Sequence, residues 1–257
     1  MITPLLQIGQ ALAIKANLDV PTTLTGNTER TAQVILQCIK DGSLKDAWHD
    51  VDWAVLRLEH TFEATGASST SGYVLPSNFG RFINNTIWDR TNMIRIEGPV
   101  TPEKWQAYKS GLVELTGLTT ICRLGPHQTT GSPRDYERRL QLYPDVGTSP
   151  GAIDAPITVA FEYISKDFII NKTGPSADLG PTWLTDSDYA IIDTDVIEAA
   201  AFWRLLRTIG MGYSDEKAEY DALIADKMAN DAGAETLSLI QGNYIFGTNV
   251  PETGYGS

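Results

Sequence analysis

Four carboxylates crowd one short stretch of the chain: Asp186, Asp188, Asp193 and Asp195, within TWLTDSDYAIIDTD. Oxygen ligands of this type suit calcium. The spacing does not, because the loop glycine and closing glutamate of an EF-hand are missing and Ala190, Ile191 and Ile192 interrupt the run. Capping accounts for Asp193 and Asp195 without a metal, since carboxylates at a helix start meet its free N–H groups and positive dipole end. The three histidines, His49, His60 and His127, fall in different segments. His60 sits on an apolar strand face and reads as a core residue. His127, in GPHQTTG, reads as a solvated loop residue. The serines of GASSTSG (66–72) have no base that sequence can identify. Neither a phosphate-binding glycine loop nor a G-x-S-x-G nucleophile turn occurs. The expectation is a chain with no catalytic residues, no metal and no cofactor, hence not an enzyme.

Arginines collect in two sets. Arg81, Arg90 and Arg95 lie among strand-like segments, and Arg134, Arg138 and Arg139 bracket a polar loop. Either set could contact phosphate. In a chain of net charge −12 the expected partners are carboxylates of this chain or of a neighbouring subunit. Arg81, Arg90, Arg134, Arg138 and Arg139 are therefore candidate subunit-interface residues.

The elements that must position these groups are legible in outline. The clearest signals lie between Thr182 and Gly233. Asp193 or Thr194 caps a helix whose apolar stripe runs Ile192, Val196, Ala199, Trp203, Leu206 and Ile209, with Arg204 and Arg207 near its negative end and Gly210 and Gly212 stopping it. Ser214 opens a second helix, with Tyr220, Leu223, Ile224, Lys227 and Met228 facing inward and Gly233 ending it. Such a hairpin cannot bury its own stripes and needs further helices. Residues 3–18 supply one. A second runs from Glu29 to about Lys40, capped by Asn27 or Thr28 and broken by Asp41 and Gly42. A third, short helix starts at Ser43. The middle of the chain alternates instead. Ala54–Glu63 places Leu56, Leu58, His60 and Phe62 on one face, and Ile157–Ser165 does so with Val159, Phe161 and Tyr163. Thr91–Glu97, Leu118–Leu124 and Arg138–Tyr143 are further strands, Phe168–Asn171 continues or closes the sheet, and Gly98-Pro99 is a break before a short helix with Trp105 and Tyr108.

Helices, then about five to seven strands, then helices argue an α+β chain. The expected division is a helical bundle from 1–50 plus 185–240, a β-rich sandwich or barrel-like insertion over 51–184, and an extended tail over 241–257. The tail carries Tyr244, Ile245, Phe246 and Tyr255, which a purely solvated end would not need.

Composition bounds the rest. A chain of 257 residues with 42% hydrophobic content can bury a substantial core. Its apolar runs are too short for a transmembrane helix. The opening MITPLLQIGQALAIKANL lacks the basic start and small-residue cleavage site of a secretory signal. Cys38 and Cys122 are too few and too isolated for a disulfide framework or a zinc site. A cytosolic, reduced setting is the expectation. The acidic balance argues against nucleic-acid binding on a broad basic face, and it keeps the chain soluble.

The segment TIWDRTNMIRIEGPVTPEKWQAYKSG (86–111) resembles a recurring stretch of tailed-phage virion proteins: a W-D-R-T pattern, then G-P, then a helix with Trp and Lys. The run from Asp193 to Gly233 resembles the end of the same proteins, with its W-R pair, glycine turn, tyrosine and D-x-G stop. The N-terminal helices leading into AWHDVDWAVL fit the same order. The family so resembled is the phage head-to-tail adaptor, or connector, group, organised like the podovirus tail tubular protein A. The resemblance implies a structural virion protein with no catalytic residues. It implies a ring of identical subunits, usually a dodecamer, beneath the portal protein. Such a ring joins the portal to a tail nozzle or tail completion protein and surrounds the channel through which genomic DNA leaves. Tyr244, Ile245, Phe246 and Tyr255 would then be portal-binding residues. Another neck, tail-completion or minor tail protein is the alternative within virions. A hydrolase or a carbohydrate-binding module is the alternative outside them, and a binding module should show an exposed aromatic platform on its β part.

Overall fold

A computed structural model describes residues 3–65, 72–110, 120–128, 136–146, 156–172 and 178–231, with the backbone alone at 126–128 and 136–137. The class is mixed α+β. The helices are α1 (Leu5–Lys15), α2 (Arg30–Asp41), α3 (Pro102–Lys109), α4 (Thr194–Ile209) and α5 (Ser214–Asp231). The strands are β1 (Arg57–Ala64), β2 (Tyr73–Val74), β3 (Phe79–Phe82), β4 (Trp88–Asp89), β5 (Ile94–Arg95), β6 (Ile121–Gln128), β7 (Tyr136–Tyr143), β8 (Ile157–Ser165), β9 (Ile169–Asn171), β10 (Asp178–Gly180) and β11 (Tyr189–Ala190).

Helix α4 is the centre of the helical layer and touches α1, α2 and α5. Its ends behave as its sequence dictates. The Asp193 carboxylate accepts from the Asp195 N–H at 3.3 Å, and Gly210 closes it in the left-handed region at φ 80°. That conformation favours glycine because there is no Cβ to clash. Val196, Ile197, Ala200, Ala201, Trp203, Leu205 and Leu206 are buried, a wider face than the stripe read from sequence, because helices close on α4 from several sides. Ile209 lies outside this face and is exposed. On α5, Tyr220 and Ile224 are buried as read, whereas Met228 is exposed. The expected stop at Gly233 lies outside the described residues.

Helix α2 ends at Asp41, as read, but Gly42 does not turn the chain aside. It is right-handed helical (φ −64°, ψ −44°), and the chain runs on through a π-helical turn, Gly42–Trp48. The reason for a glycine is proximity. A Cβ at position 42 would stand 2.9 Å from the Ala201 nitrogen and 3.0 Å from the Ala200 carbonyl carbon. The Gly42 turn thus lies against the α4 backbone. On helix propensity alone Gly42→Ala would stabilise by up to about 1 kcal/mol. Overpacking against backbone predicts instead a loss of about 1–3 kcal/mol. Thermal denaturation of the G42A variant is expected to give the lower midpoint; a rise would remove the close approach from the account.

Five strands form one sheet, in the order β1-β8-β4-β5 with β3 also on β8, all pairings antiparallel. A second sheet runs β2-β7-β6 and a third β10-β9-β11. The segment expected to extend the main sheet, 168–171, therefore pairs separately. Strand β8 joins two cores. Val159, Phe161 and Tyr163 enter an apolar cluster with Phe79, Ile96, Leu140 and Leu142, while Ile164 faces the helical core beside Phe168 and Ile169. Alternation along one strand gives both faces something to bury. At the junction, the Trp48 indole N–H donates to the Ser165 carbonyl (2.8 Å) and the Trp183 indole N–H to the Ser43 hydroxyl (3.1 Å).

Candidate functional site

The acidic stretch at 186–195 proves to be a structural knot. Asp188 is fully buried, and its carboxylate is saturated with donors. Lys172 N donates to Oδ1 (3.0 Å), Leu184 N and Thr185 N to Oδ2 (2.7 and 2.8 Å), and the Thr185 hydroxyl to Oδ1 (2.5 Å). With its amide oriented to satisfy both neighbours, Asn171 also donates to Oδ2 (2.9 Å). Burial alone would push the Asp188 carboxyl up; the bonds from Thr185, Leu184 and Lys172 outweigh it and hold the group below its ordinary value. Asp186 accepts from Leu24 N (3.1 Å), from Thr25 N (2.7 Å) and from the Thr25 hydroxyl (2.7 Å). The carbonyls of the same two residues accept from Leu5 N and Leu6 N at 2.8 and 3.1 Å. They satisfy the first N–H groups of α1, which has no side-chain cap. Asp193 caps α4 and pairs with Lys227 of α5 at 2.5 Å. Among the described residues, no group of three or more His, Cys, Asp or Glu is arranged to hold a metal ion.

The histidines are not gathered. His60 lies between Phe62 and Phe161, with ring centroids 5.8 and 5.4 Å away, and burial lowers its pKa. His49 is exposed beside Asp50. His127 falls within strand β6 rather than in a loop, because that strand runs on to Gln128 in register with Tyr136. The serine loop at 66–71 lies outside the described residues, as do Arg134, Tyr244, Ile245, Phe246 and Tyr255.

The arginines divide. Arg81 ties the helical layer to the sheet: its Nε meets Asp52 (2.6 Å), its NH2 donates to the Val51 carbonyl (2.7 Å), and its guanidinium covers Trp48 at 4.8 Å. Arg90 pairs with Glu59 of β1 at 2.7 Å, both half-exposed. Arg138 is exposed and Arg139 half-buried on β7. On the outer face of the main sheet Trp88 is 37% exposed and stands opposite Arg95.

Sequence reading gave Arg204 and Arg207 only a role at a helix end. In the fold they line a groove of about 320 Å³ between α2 and α4, with Val34, Gln37, Cys38, Asp41 and Thr208. Arg204 is committed there to Asp46 by two bonds of 2.6 Å, while Arg207 is exposed. Burial pushes the Cys38 thiol up. A second groove, about 420 Å³, runs between α4 and α5 beside the end of α1. Its apolar part is Ala199, Phe202 and Leu223, and its rim is Asp195, Glu198, Glu216 and Glu219. Lys15 pairs with Glu198 at 2.6 Å. A third hollow, lined by Trp53, Val55, Ile192, Lys227 and Asp231, lies where the described part of α5 ends. The signal for the first two grooves was present in the sequence as charge on opposite sides of α4, but the depth of each depends on its neighbouring helices.

What these features define is a mixed α+β chain whose surface grooves lie along helices and whose Asp186, Asp188 and Asp193 are spent on architecture. No family model matches the chain, and no curated protein matches it. No helix among the described residues is long and apolar enough to cross a membrane.

Proposed function

We propose that the chain is a head-to-tail adaptor of a tailed-phage virion: a ring-forming structural protein that joins the portal to the tail around the DNA exit channel. In this reading the helices from both ends of the sequence form one bundle, and the β-rich middle is an insertion that reaches toward neighbouring parts. The observation that carries it is the packing of α1, α2 and α5 each against α4 around a shared core, with the sheets between them in sequence. This is the organisation implied by the resemblance of 86–111 and 193–233 to adaptors. The commitment of Asp186, Asp188 and Asp193 to backbone and lysine partners supports a scaffold in preference to a hydrolase. In this reading the protein is located in the virion neck after synthesis in the host cytoplasm. Its partners are further copies of itself, the portal protein, and a nozzle or tail completion protein, with only non-specific proximity to DNA.

Quantitative mass spectrometry of density-purified virions tests the proposal through the copy number of this chain relative to the portal. A near-equal ratio is expected. A ratio near one half would move the protein to a six-fold nozzle-like part, and absence from mature particles would end the virion reading.

A further inference from the structure

We propose that the two grooves flanking α4 are the two halves of a single head-to-tail contact between copies of this chain. The inference rests on the ring reading for its closed form and adds to it the faces that meet. At about 100° per residue, Arg204, Arg207 and Thr208 project from one side of α4, and Asp195, Glu198, Ala199 and Phe202 project from the opposite side. The first side offers cations: Arg207 makes no ion pair among the described residues, and the nearby Asp41 is already held by Lys45 at 2.9 Å. The opposite side offers four carboxylates against one lysine, itself held by Glu198. Both grooves also carry an apolar part, Val34 and Cys38 in one, Phe202 and Leu223 in the other. Within one copy Arg204 is paired with Asp46 and Glu198 with Lys15, which leaves Arg207 on one side and Asp195, Glu216 and Glu219 on the other without an ion pair among the described residues. These groups meet opposite charge when the Arg207 edge of one copy enters the acidic groove of the next, where Glu216 and Glu219 form the outer rim. The contact is heterologous, so each copy uses one groove on either side. The chain of contacts closes into a ring when the rotation per copy divides the circle, and otherwise runs on as a filament. Complementary charge also sets the direction of stacking and rejects the reversed copy, which would bring like charges together.

The test is a charge exchange on the full-length protein, read by sedimentation velocity. Arg207→Glu and Glu219→Arg are chosen because both side chains are exposed, whereas Arg204 holds Asp46. The wild-type chain is expected to self-associate in a salt-sensitive manner. Either single variant should associate about tenfold more weakly or worse, through like-charge contact. An equimolar mixture of the two should regain association to within about threefold, because alternating copies restore opposite charges at the 207–219 contact. Rescue on mixing requires both variants to be folded, and the neutral pair Arg207→Ser and Glu219→Gln supplies a milder loss without rescue. A wild-type chain that stays monomeric to about 1 mM overturns the contact, since any specific association worth the name would be visible there. So does a mixture no better than its components, or single variants that associate like the wild type. Rescue combined with absence from virions would retain the contact and remove the neck assignment. Virion incorporation at portal stoichiometry without rescue would do the reverse.

Discussion

Asp188→Ala is expected to lower stability by about 3–5 kcal/mol, because at least four donors lose a buried charged acceptor at once. Hydrogen bonds to a charged group contribute roughly 1.5–3 kcal/mol each, and donors left dry cost about 1–3 kcal/mol each. The small cavity left by alanine admits some water, which keeps the total below the sum. The loss is not local. Lys172 N lies just after β9, Leu184 and Thr185 N in the loop before β11, and the Asp188 carbonyl serves the first turn of α1. One side chain thus fixes where the N-terminal helix meets the C-terminal helices. For a chain of this size, midpoint shifts of about 2–4 °C per kcal/mol put the expected fall on the order of 10 °C. A change under about 1 kcal/mol in urea titration would mean that the loop keeps its shape without the carboxylate.

The same group gives a pH signature with a definite sign. The folded pKa of Asp188 is depressed, so its contribution is present above the unfolded value of about 3.9 and is lost as pH falls through the folded one. Asp193 acts in the same direction. Burial would raise it, but its bond from Lys227 and that from the Asp195 N–H hold it down. Stability is therefore expected to be level near neutrality and to drop on the acid side, from about pH 4 downward. Asp188→Asn keeps the side chain's shape and should flatten part of that drop. Unfolding free energies of both proteins across this window check it.

How much of this was readable from residues depends on where each signal lives. End signals are local, so Asp193 and Gly210 are legible from their own helix. Strand alternation is also local, and β8 buries the residues its pattern names. The end of α2 at Asp41 agrees with the stop read at Gly42, but the glycine itself keeps the helical path. The reason for a glycine there is the backbone of α4, more than a hundred and fifty positions away. The start of α2 was placed slightly early: Asn27 bonds the Glu29 N–H, in the turn before the helix, and the first helical residue is Arg30. Asp188 was counted with a cluster of like charges, when its partners are mostly main-chain N–H groups that no side-chain pattern reveals. The arginines teach the same lesson, since Arg81 has its carboxylate at Asp52 and two carbonyls besides. Sequence spacing finds what a residue does to its own element. It does not find what a distant element asks of it.

Breaking the Arg204–Asp46 pair from one side is expected to cost about 3–5 kcal/mol, and replacing both partners together far less. The pair is bidentate, with Nε to Oδ2 and NH2 to Oδ1 both at 2.6 Å, and both side chains are largely buried. It fastens α4 to the π-helical turn that follows Gly42, so it works at the same seam as the close glycine contact. Arg204→Met alone strands the Asp46 carboxylate in a poor solvent, and Asp46→Leu alone strands the guanidinium. The double substitution leaves two apolar side chains of suitable volume facing each other, and desolvation of two charges no longer opposes folding. Urea titration of the four proteins gives a coupling energy, expected to be favourable by about 2 kcal/mol or more for neighbours in direct contact. Near-additive losses would mean that water or another group serves each charge separately. The double variant also separates architecture from assembly. It removes Arg204 as a charge from the groove while leaving Arg207, so a stable double variant that still self-associates would assign the contact to Arg207. One that folds well yet fails to associate would show that the guanidinium of Arg204, although held by Asp46, also serves the neighbouring copy.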